Sequence, residues 1–167
     1  MTERQKFDLI KKIDKTKVEI RRYHSCVMAD VIVDAPYSQA GNLGFRPLVT
    51  YISQNNIAMT APVLQESSDL SSWIISFVMP AEMKLEDLPN PEGSKVRLRT
   101  LSEQLCATLG FSGITTTAKV QEKELELRAV LTKEGLTAIG ALRIARFDPP
   151  WKPGILRYNE VILDIKP

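Results

Sequence analysis

The sequence predicts an α+β fold in which eight antiparallel strands form a distorted barrel with two helices. Three observations carry this prediction. Several segments have alternating apolar residues, and two other segments have apolar residues that recur at helical spacing. A third is that the whole pattern repeats at an offset of roughly 78 to 80 residues, each half reading β-β-α-β-β. We therefore predict a single domain over residues 1–167 made of two pseudo-repeats, about 16–80 and 94–166.

The first half opens with a predicted hairpin over residues 16–33. Val18 and Ile20 alternate with charged residues, which is the pattern of a half-buried strand. Residues 36–54 follow as a helix candidate, because apolar residues recur every three to four positions despite two glycines and a proline. The asparagine pair at 55–56 predicts the end of this helix, since asparagine tolerates a left-handed backbone.

Two apolar strands complete the first half. Residues 57–63 contain Pro62, which cannot donate to a sheet, so this strand is expected at an edge or a bulge. Residues 73–79 are apolar on both faces. One face should meet the core, and a helix, a partner chain or a ligand should cover the other.

The second half repeats this order with predicted strands at 95–99, 105–111, 141–147 and 156–165 around a helix at 115–134. Gly135 is expected to end that helix. The proline-rich turn at 148–154 is predicted to be structural, with Trp151 capping one end of the barrel. Arg157 and Glu160 are expected to form an ion pair that fixes the last strand.

Composition excludes several classes of function. A formal net charge of +2 gives no reason to expect nucleic acid or an anionic membrane as a partner. No stretch approaches the about 18 apolar residues that span a bilayer, so we expect no membrane insertion. Residues 1–15 lack a secretory signal, and Cys26 and Cys106 are expected as free thiols, so the predicted compartment is the cytoplasm.

The sequence shows none of the residue arrangements that commonly support catalysis. There is no His/Cys cluster for zinc, no nucleophile elbow, and the segment at 110–113 is too short for a phosphate loop. We therefore predict that the protein is not an enzyme and has no metal site built from its own residues.

Five short motifs, in order along the chain, resemble the SOUL family of haem-binding proteins. They are NIAMTAPV at 56–63, FVMP at 77–80, FSG at 111–113, FDPPW at 147–151 and RYNEV at 157–161. The resemblance extends from about Val18 to Ile165. It implies the duplicated β-β-α-β-β fold, and similar tandem units also occur in effector-binding domains of bacterial regulators.

The resemblance also implies non-catalytic binding, buffering or transport of haem or a related tetrapyrrole in an apolar groove beside the first helix. Basic side chains on that helix are thought to face the propionates. Here two of those positions hold Asn42 and Thr50, which leaves Arg46 as the only cation on the helix. The expected groove residues are Phe45, Arg46, Val49, Tyr51, Met59, Trp73 and Phe77.

Two residues are candidates for an axial iron ligand. His24 is the only histidine, although an exposed turn residue is the alternative interpretation. Met59 carries a thioether, although a methionine in a strand more often fills core space. The aromatic residues of the groove could likewise be ordinary core. We expect a monomer or a weak homodimer.

Two other functions stay open from the sequence. One is a small-molecule effector-binding module with the same fold that does not bind haem. The other is a protein-interaction module that uses an exposed apolar face around residues 73–79.

Overall fold

Eleven strands and two α-helices make up the part of the chain that the computed structural model describes, residues 2–68, 71–149 and 151–167. This composition confirms the predicted α+β class. In chain order the elements are β1 (Glu3–Arg4), β2 (Phe7–Lys12), β3 (Val18–Tyr23), β4 (Cys26–Asp34), α1 (Tyr37–Gln54), β5 (Thr60–Ala61), β6 (Val63–Ser67), β7 (Ser72–Val78), β8 (Arg97–Leu101), β9 (Gln104–Ser112), α2 (Thr117–Lys133), β10 (Ala138–Arg146) and β11 (Tyr158–Ile165).

The chain divides into two compact units. The first unit comprises Ser25–Ser102 together with the N-terminal residues up to Lys6, and the second comprises Phe7–His24 together with Glu103–Pro167. No helix of the described residues is both long and apolar enough to cross a bilayer.

The first unit is a four-stranded sheet in the order β6-β7-β4-β8 with α1 packed on one face. The pairings β6–β7, β7–β4 and β4–β8 are antiparallel. The buried side of α1 consists of Ala40, Gly44, Leu48, Tyr51 and Ile52, and Gly44 lies directly against β7. A Cβ added there would lie 2.4 Å from Ile75 Cγ1, so only glycine lets the helix come this near to β7.

The end of α1 confirms the predicted stop. Asn55 Nδ2 donates a hydrogen bond to the carbonyl of Tyr51 at 2.8 Å, which satisfies one carbonyl of the last turn. Asn56 then adopts a left-handed backbone with φ of 53°. Pro47 lies inside the helix without ending it.

The second unit is a five-stranded sheet in the order β2-β3-β9-β11-β10 with α2 on one face. The predicted apolar stripe of α2 is buried through Val120, Leu127 and Leu131. Thr116 caps the helix, because its hydroxyl accepts a hydrogen bond from the Lys119 amide at 3.1 Å. Gly135 follows the helix with φ of 70°, as its predicted capping role requires.

The predicted hairpins are wrong, although their strands exist. β3 pairs with β2 and β9, whereas β4 pairs with β7 and β8, so the strands expected to form the first hairpin belong to different units. The same holds for β8 and β9. Alternation reports which face of a strand is buried, but it does not report which strand lies beside it. The duplication itself stays a prediction, and its expected boundaries differ from those of the units.

One strand was missed, because no element was predicted for residues 7–12, which form β2. Two local expectations also need correction. Residues 75–79 are buried and Trp73 and Ile74 are half-buried, so residues 73–79 do not present the exposed apolar face that was expected. Trp151 is largely exposed rather than capping a barrel end. Pro150, next to it in the predicted turn, lies outside the described residues.

Candidate functional site

One flank of α1 combines half-buried apolar side chains with a cation. Phe45 and Val49 are four residues apart, so they lie on the same flank, and both pack against the core of the first unit. Arg46 lies three residues before Val49 and is exposed. Within the described residues, no hydrogen bond or ion pair engages its guanidinium. This flank therefore offers an apolar surface beside a free positive charge.

Two expected groove residues lie in the core beneath this flank. Phe77 packs edge-on against Phe45, with ring centroids 5.4 Å apart. Tyr51 is buried and its hydroxyl donates to the carbonyl of Pro89 at 2.6 Å. Burial also raises the pKa of the Tyr51 phenol. Both side chains are held by protein contacts, so they support the surface rather than form it.

The last two expected groove residues differ in exposure. Trp73 is half-buried, and its ring lies edge-on to Tyr37 at 5.2 Å. Met59 precedes β5 and leaves 39% of its surface exposed. The neighbouring Thr60 is fixed by a hydrogen bond from its hydroxyl to the carbonyl of Val78. All seven expected groove residues belong to the first unit.

His24 has a different environment from the groove residues. It lies in the second unit, is exposed, and its Nε2 is 3.1 Å from Asp8 Oδ1. In residues 2–68, 71–149 and 151–167, no group of three or more His, Cys, Asp or Glu side chains is arranged to hold a metal ion.

Sequence reasoning missed a polar pocket in the second unit. It has a volume of about 160 Å³ and opens between β3, β9 and β11. Its lining residues are Lys17, Glu19, Arg21, Thr108, Gly110, Phe111, Ser112 and Tyr158.

A buried charge network forms one side of this pocket. Arg21 Nη1 donates to Glu160 Oε1, and Nη2 donates to Oε2, both at 2.8 Å. The Nε of Arg21 donates to Glu19 at 2.9 Å, and Nη1 also donates to the Tyr23 hydroxyl. Tyr158 completes the network by donating its hydroxyl to Glu160 at 2.7 Å. The available signal was the pair of opposite charges Glu19 and Arg21 on one face of β3, which alternation assigned to solvent.

Burial and charge shift the pKa values in this network. Burial alone would lower the pKa of Arg21, but the hydrogen bonds and charge of Glu160 outweigh it and raise that pKa. Burial raises the pKa of Tyr23 to about 12. Burial and the nearby Glu160 charge also raise the pKa of Tyr158. The network is therefore a guanidinium between two carboxylates with two neutral phenols.

Glu160 does not have the partner expected from the sequence. Its carboxylate binds Arg21 and Tyr158, whereas Arg157 donates its Nε–H to the carbonyl of Lys152 at 2.9 Å. The correct partner is 139 residues away along the chain, so no local pattern could indicate it. Gly110 keeps the pocket open, because an added Cβ would lie 2.3 Å from the Tyr158 hydroxyl.

A comparison with protein-family models tests the family resemblance that the five sequence motifs indicated. The family model described as SOUL heme-binding protein matches residues 2–164, nearly the whole chain. The chain belongs to the SOUL family. No curated protein gave a significant match.

Solved structures show that the fold of this SOUL family member is shared with distant proteins. The C-terminal domain of EcmrR is similar with a TM-score of 0.72 and 11% identity, covering 91% of this chain and 98% of the other. A protein described as a hydrolase from Listeria innocua has a TM-score of 0.63 and 16% identity, covering 91% and 93%. SAV2435 bound to tetraphenylphosphonium has a TM-score of 0.55 and 9% identity, covering 90% and 94%. At these identities the similarity concerns the fold alone.

The α1 flank of the SOUL chain fits a tetrapyrrole as a surface contact. Phe45 and Val49 can contact an apolar ring, and Arg46 can pair with one carboxylate. Residues 37–54 contain no histidine, cysteine or carboxylate, so a tyrosine is the strongest iron ligand that α1 could supply. The hydroxyl of one of its two tyrosines, Tyr51, is already engaged by the carbonyl of Pro89. Met59 is an exposed sulfur-containing residue of the first unit and follows α1 in the chain, so it is the candidate for a weak iron ligand near this flank.

Proposed function

We propose that this SOUL protein binds haem or a related tetrapyrrole without transforming it, and acts as a carrier or buffer in the cytoplasm. The ligand would lie on the α1 flank against Phe45 and Val49, with Arg46 paired to a propionate. The observation that carries the proposal is Arg46, an exposed guanidinium without a partner in the described chain, next to half-buried apolar residues.

Binding rather than reaction follows from the chemistry of this surface. The α1 segment holds no carboxylate, histidine, cysteine or lysine that could serve as an acid, a base or a strong nucleophile. Apolar contact and one charge pair would supply the affinity. A metal-free porphyrin should therefore bind nearly as well as hemin, with Met59 adding at most a weak iron contact.

A titration tests this proposal. Hemin is added to the purified protein and followed by absorbance, and protoporphyrin IX is followed by fluorescence. Arg46→Ala should weaken both ligands about tenfold, which corresponds to ~1.4 kcal/mol for a charge-assisted contact. Val49→Ser should also weaken both, because it removes apolar contact area. Met59→Ala should affect hemin alone.

Matched controls come from the exposed face of α2. Arg128→Ala removes another surface arginine, and Leu125→Ser removes another exposed apolar residue. Both should leave the affinities unchanged. The proposal fails if neither ligand binds saturably, or if Arg46→Ala and Val49→Ser behave like these controls.

A further inference from the structure

The polar pocket of the second unit contains one cation that its buried charge network does not use. Every N–H group of Arg21 already donates a hydrogen bond: two to Glu160, two to Glu19 and one to the Tyr23 hydroxyl. The guanidinium therefore has no donor left for a ligand. Lys17 also lines the pocket and is exposed, and its ammonium makes no hydrogen bond or ion pair with the described residues. The cation available to a ligand is thus Lys17.

Glu19 keeps one carboxylate oxygen available in the same pocket. Both hydrogen bonds from Arg21 reach Oε1, at 2.9 and 2.7 Å, and no group of the described chain donates to Oε2. Lys17 and Glu19 line the pocket together, but within residues 2–68, 71–149 and 151–167 they form no ion pair with each other. The pocket therefore offers a positive group and an acceptor oxygen of a negative group that do not neutralise one another.

Thr108 adds a hydroxyl that opens into this pocket. The residue is only 1% exposed, yet its hydroxyl has no hydrogen-bond partner in the part of the chain that the structure describes. In that part, every fully enclosed side-chain nitrogen or oxygen does have a partner. The Thr108 hydroxyl therefore reaches open space, and the space that Thr108 lines is the pocket. A nearly buried hydroxyl without a partner costs free energy, which a bound molecule that hydrogen-bonds to it would recover.

Charge and volume restrict the kind of ligand. Two bases, Lys17 and Arg21, stand against two acids, Glu19 and Glu160, so the pocket and its network have no net charge. Net charge therefore favours neither a cation nor an anion, whereas a molecule that carries both charges can pair with Lys17 and Glu19 at once. The volume of about 160 Å³ corresponds to roughly five water molecules at about 30 Å³ each, which limits the ligand to a few atoms.

We propose that this pocket binds a small zwitterion of the free α-amino acid class. The carboxylate of the ligand pairs with the Lys17 ammonium and accepts a hydrogen bond from the Thr108 hydroxyl, while the ammonium of the ligand donates to Glu19 Oε2. Charge-assisted hydrogen bonds of this kind are the strongest polar contacts that a small ligand can make. Arg21 contributes by holding Oε1 of Glu19, which leaves Oε2 for the ligand. The site belongs to the second unit, so its occupation requires no tetrapyrrole on α1 of the first.

Matched ligands test the proposal on the full chain without any tetrapyrrole. Glycine is titrated into the ¹⁵N-labelled protein and followed by amide chemical shifts, beside acetate and methylamine, each of which keeps one of its two charges. Glycine should give saturable shifts at Glu19, Gly110 and Ser112. It should bind at least about tenfold more tightly than either fragment, because each fragment lacks one charge-assisted contact. The proposal is overturned if the glycine shifts do not saturate, or if either fragment binds as tightly as glycine.

Charge-removing variants test the two ionic contacts. Lys17→Met keeps most of the side-chain stem and should weaken glycine binding at least about tenfold. Lys17 is exposed and unpaired, so this variant should fold, which thermal unfolding will verify. Glu19→Gln should weaken binding similarly, since its amide oxygen can still accept from Arg21. Lys95→Met and Glu122→Gln are the matched controls, because both residues are exposed and lie outside the pocket. Lys17→Met that binds glycine like Lys95→Met would overturn the proposal.

Thr108→Val gives an independent readout of the third contact. The variant removes the unpaired hydroxyl from a nearly buried position, so the free protein should unfold at an equal or higher temperature. Glycine should nevertheless bind about three- to tenfold less tightly, because one hydrogen bond to its carboxylate is lost. A purely structural role for Thr108 would move the unfolding temperature alone, and an unchanged glycine affinity would overturn the proposed mode of binding.

Discussion

Arg21 on β3 and Glu160 on β11 form a bidentate ion pair beside β9, with both N–O distances at 2.8 Å. Their side chains are 8% and 3% exposed, so the pair is shielded from water. A buried pair of this geometry does not by itself add much stability, because both ions lose hydration. Removing Arg21, however, leaves the buried Glu160 carboxylate uncompensated, whereas removing Glu160 leaves Arg21 its second pair with Glu19.

We therefore expect Arg21→Met to destabilise the protein strongly, by about 3–5 kcal/mol, and Glu160→Gln to destabilise it less. The double variant Arg21→Met, Glu160→Leu should lose less than the sum of the single changes, because no charge of the pair is left unpaired. Urea unfolding at neutral pH measures all three. Arg22→Ala is the control, since Arg22 forms an exposed pair with Glu103 and should change stability by no more than about 1 kcal/mol. Equal losses for Arg21 and Arg22 variants would contradict this prediction.

Gly110→Ala should disturb the same network through Tyr158. The new methyl group would displace the Tyr158 hydroxyl, and with it the hydrogen bond to Glu160, at an expected cost of about 1–3 kcal/mol. Adding Tyr158→Phe removes the displaced hydroxyl and should recover part of this loss. Ser112→Ala, an exposed change on the same strand, serves as the control. An unchanged denaturation midpoint for Gly110→Ala would show that the ring moves away freely.

Gly44→Ala should destabilise the first unit even though alanine is the better helix former. The gain in helix propensity is about 1 kcal/mol, whereas overpacking against Ile75 is expected to cost about 1–3 kcal/mol. Ile75→Val in the same chain should partly relieve the clash. Asn42→Ala, on the exposed face of α1, should be neutral or slightly stabilising. The order of the three denaturation midpoints decides between propensity and packing.

Stability should fall at high pH. Burial raises the pKa of the Cys106 thiol from 9.0 to about 12, and the pKa of Tyr23 from 10.0 to about 12. Above pH 9 the unfolded chain therefore loses protons that the folded protein retains, so the free energy of unfolding decreases as pH rises. Below pH 9 this contribution is fully present.

Cys106→Ala isolates the thiol contribution. Between pH 9 and 10, the free energy of unfolding of this variant should fall less steeply with pH than that of the unmodified protein. The difference between the two slopes should approach about 1.4 kcal/mol per pH unit. Urea unfolding across this range measures the slopes. If both proteins lose stability in parallel, the thiol does not titrate differently in the two states.

Local signals predicted the helices well. The end of α1 at Asn55 and the cap at Gly135 need only a backbone conformation that those residues adopt easily. Arg46 could be named because it is the only cation in residues 37–54. The burial of Tyr51 and Phe77 could not be predicted in the same way, because it depends on how closely Gly44 lets α1 approach β7.

The sequence alone determined that this chain is an α+β protein of the SOUL family, because apolar spacing and short motifs depend on neighbouring residues. The tertiary structure decided which strands lie together: β3 beside β9, β8 beside β4, and β2 at the edge of the second unit. It also decided that Glu160 binds Arg21 and that Trp151 is exposed. These features depend on contacts between residues far apart in the chain, and alternation fixes only the face of a strand, not its neighbour.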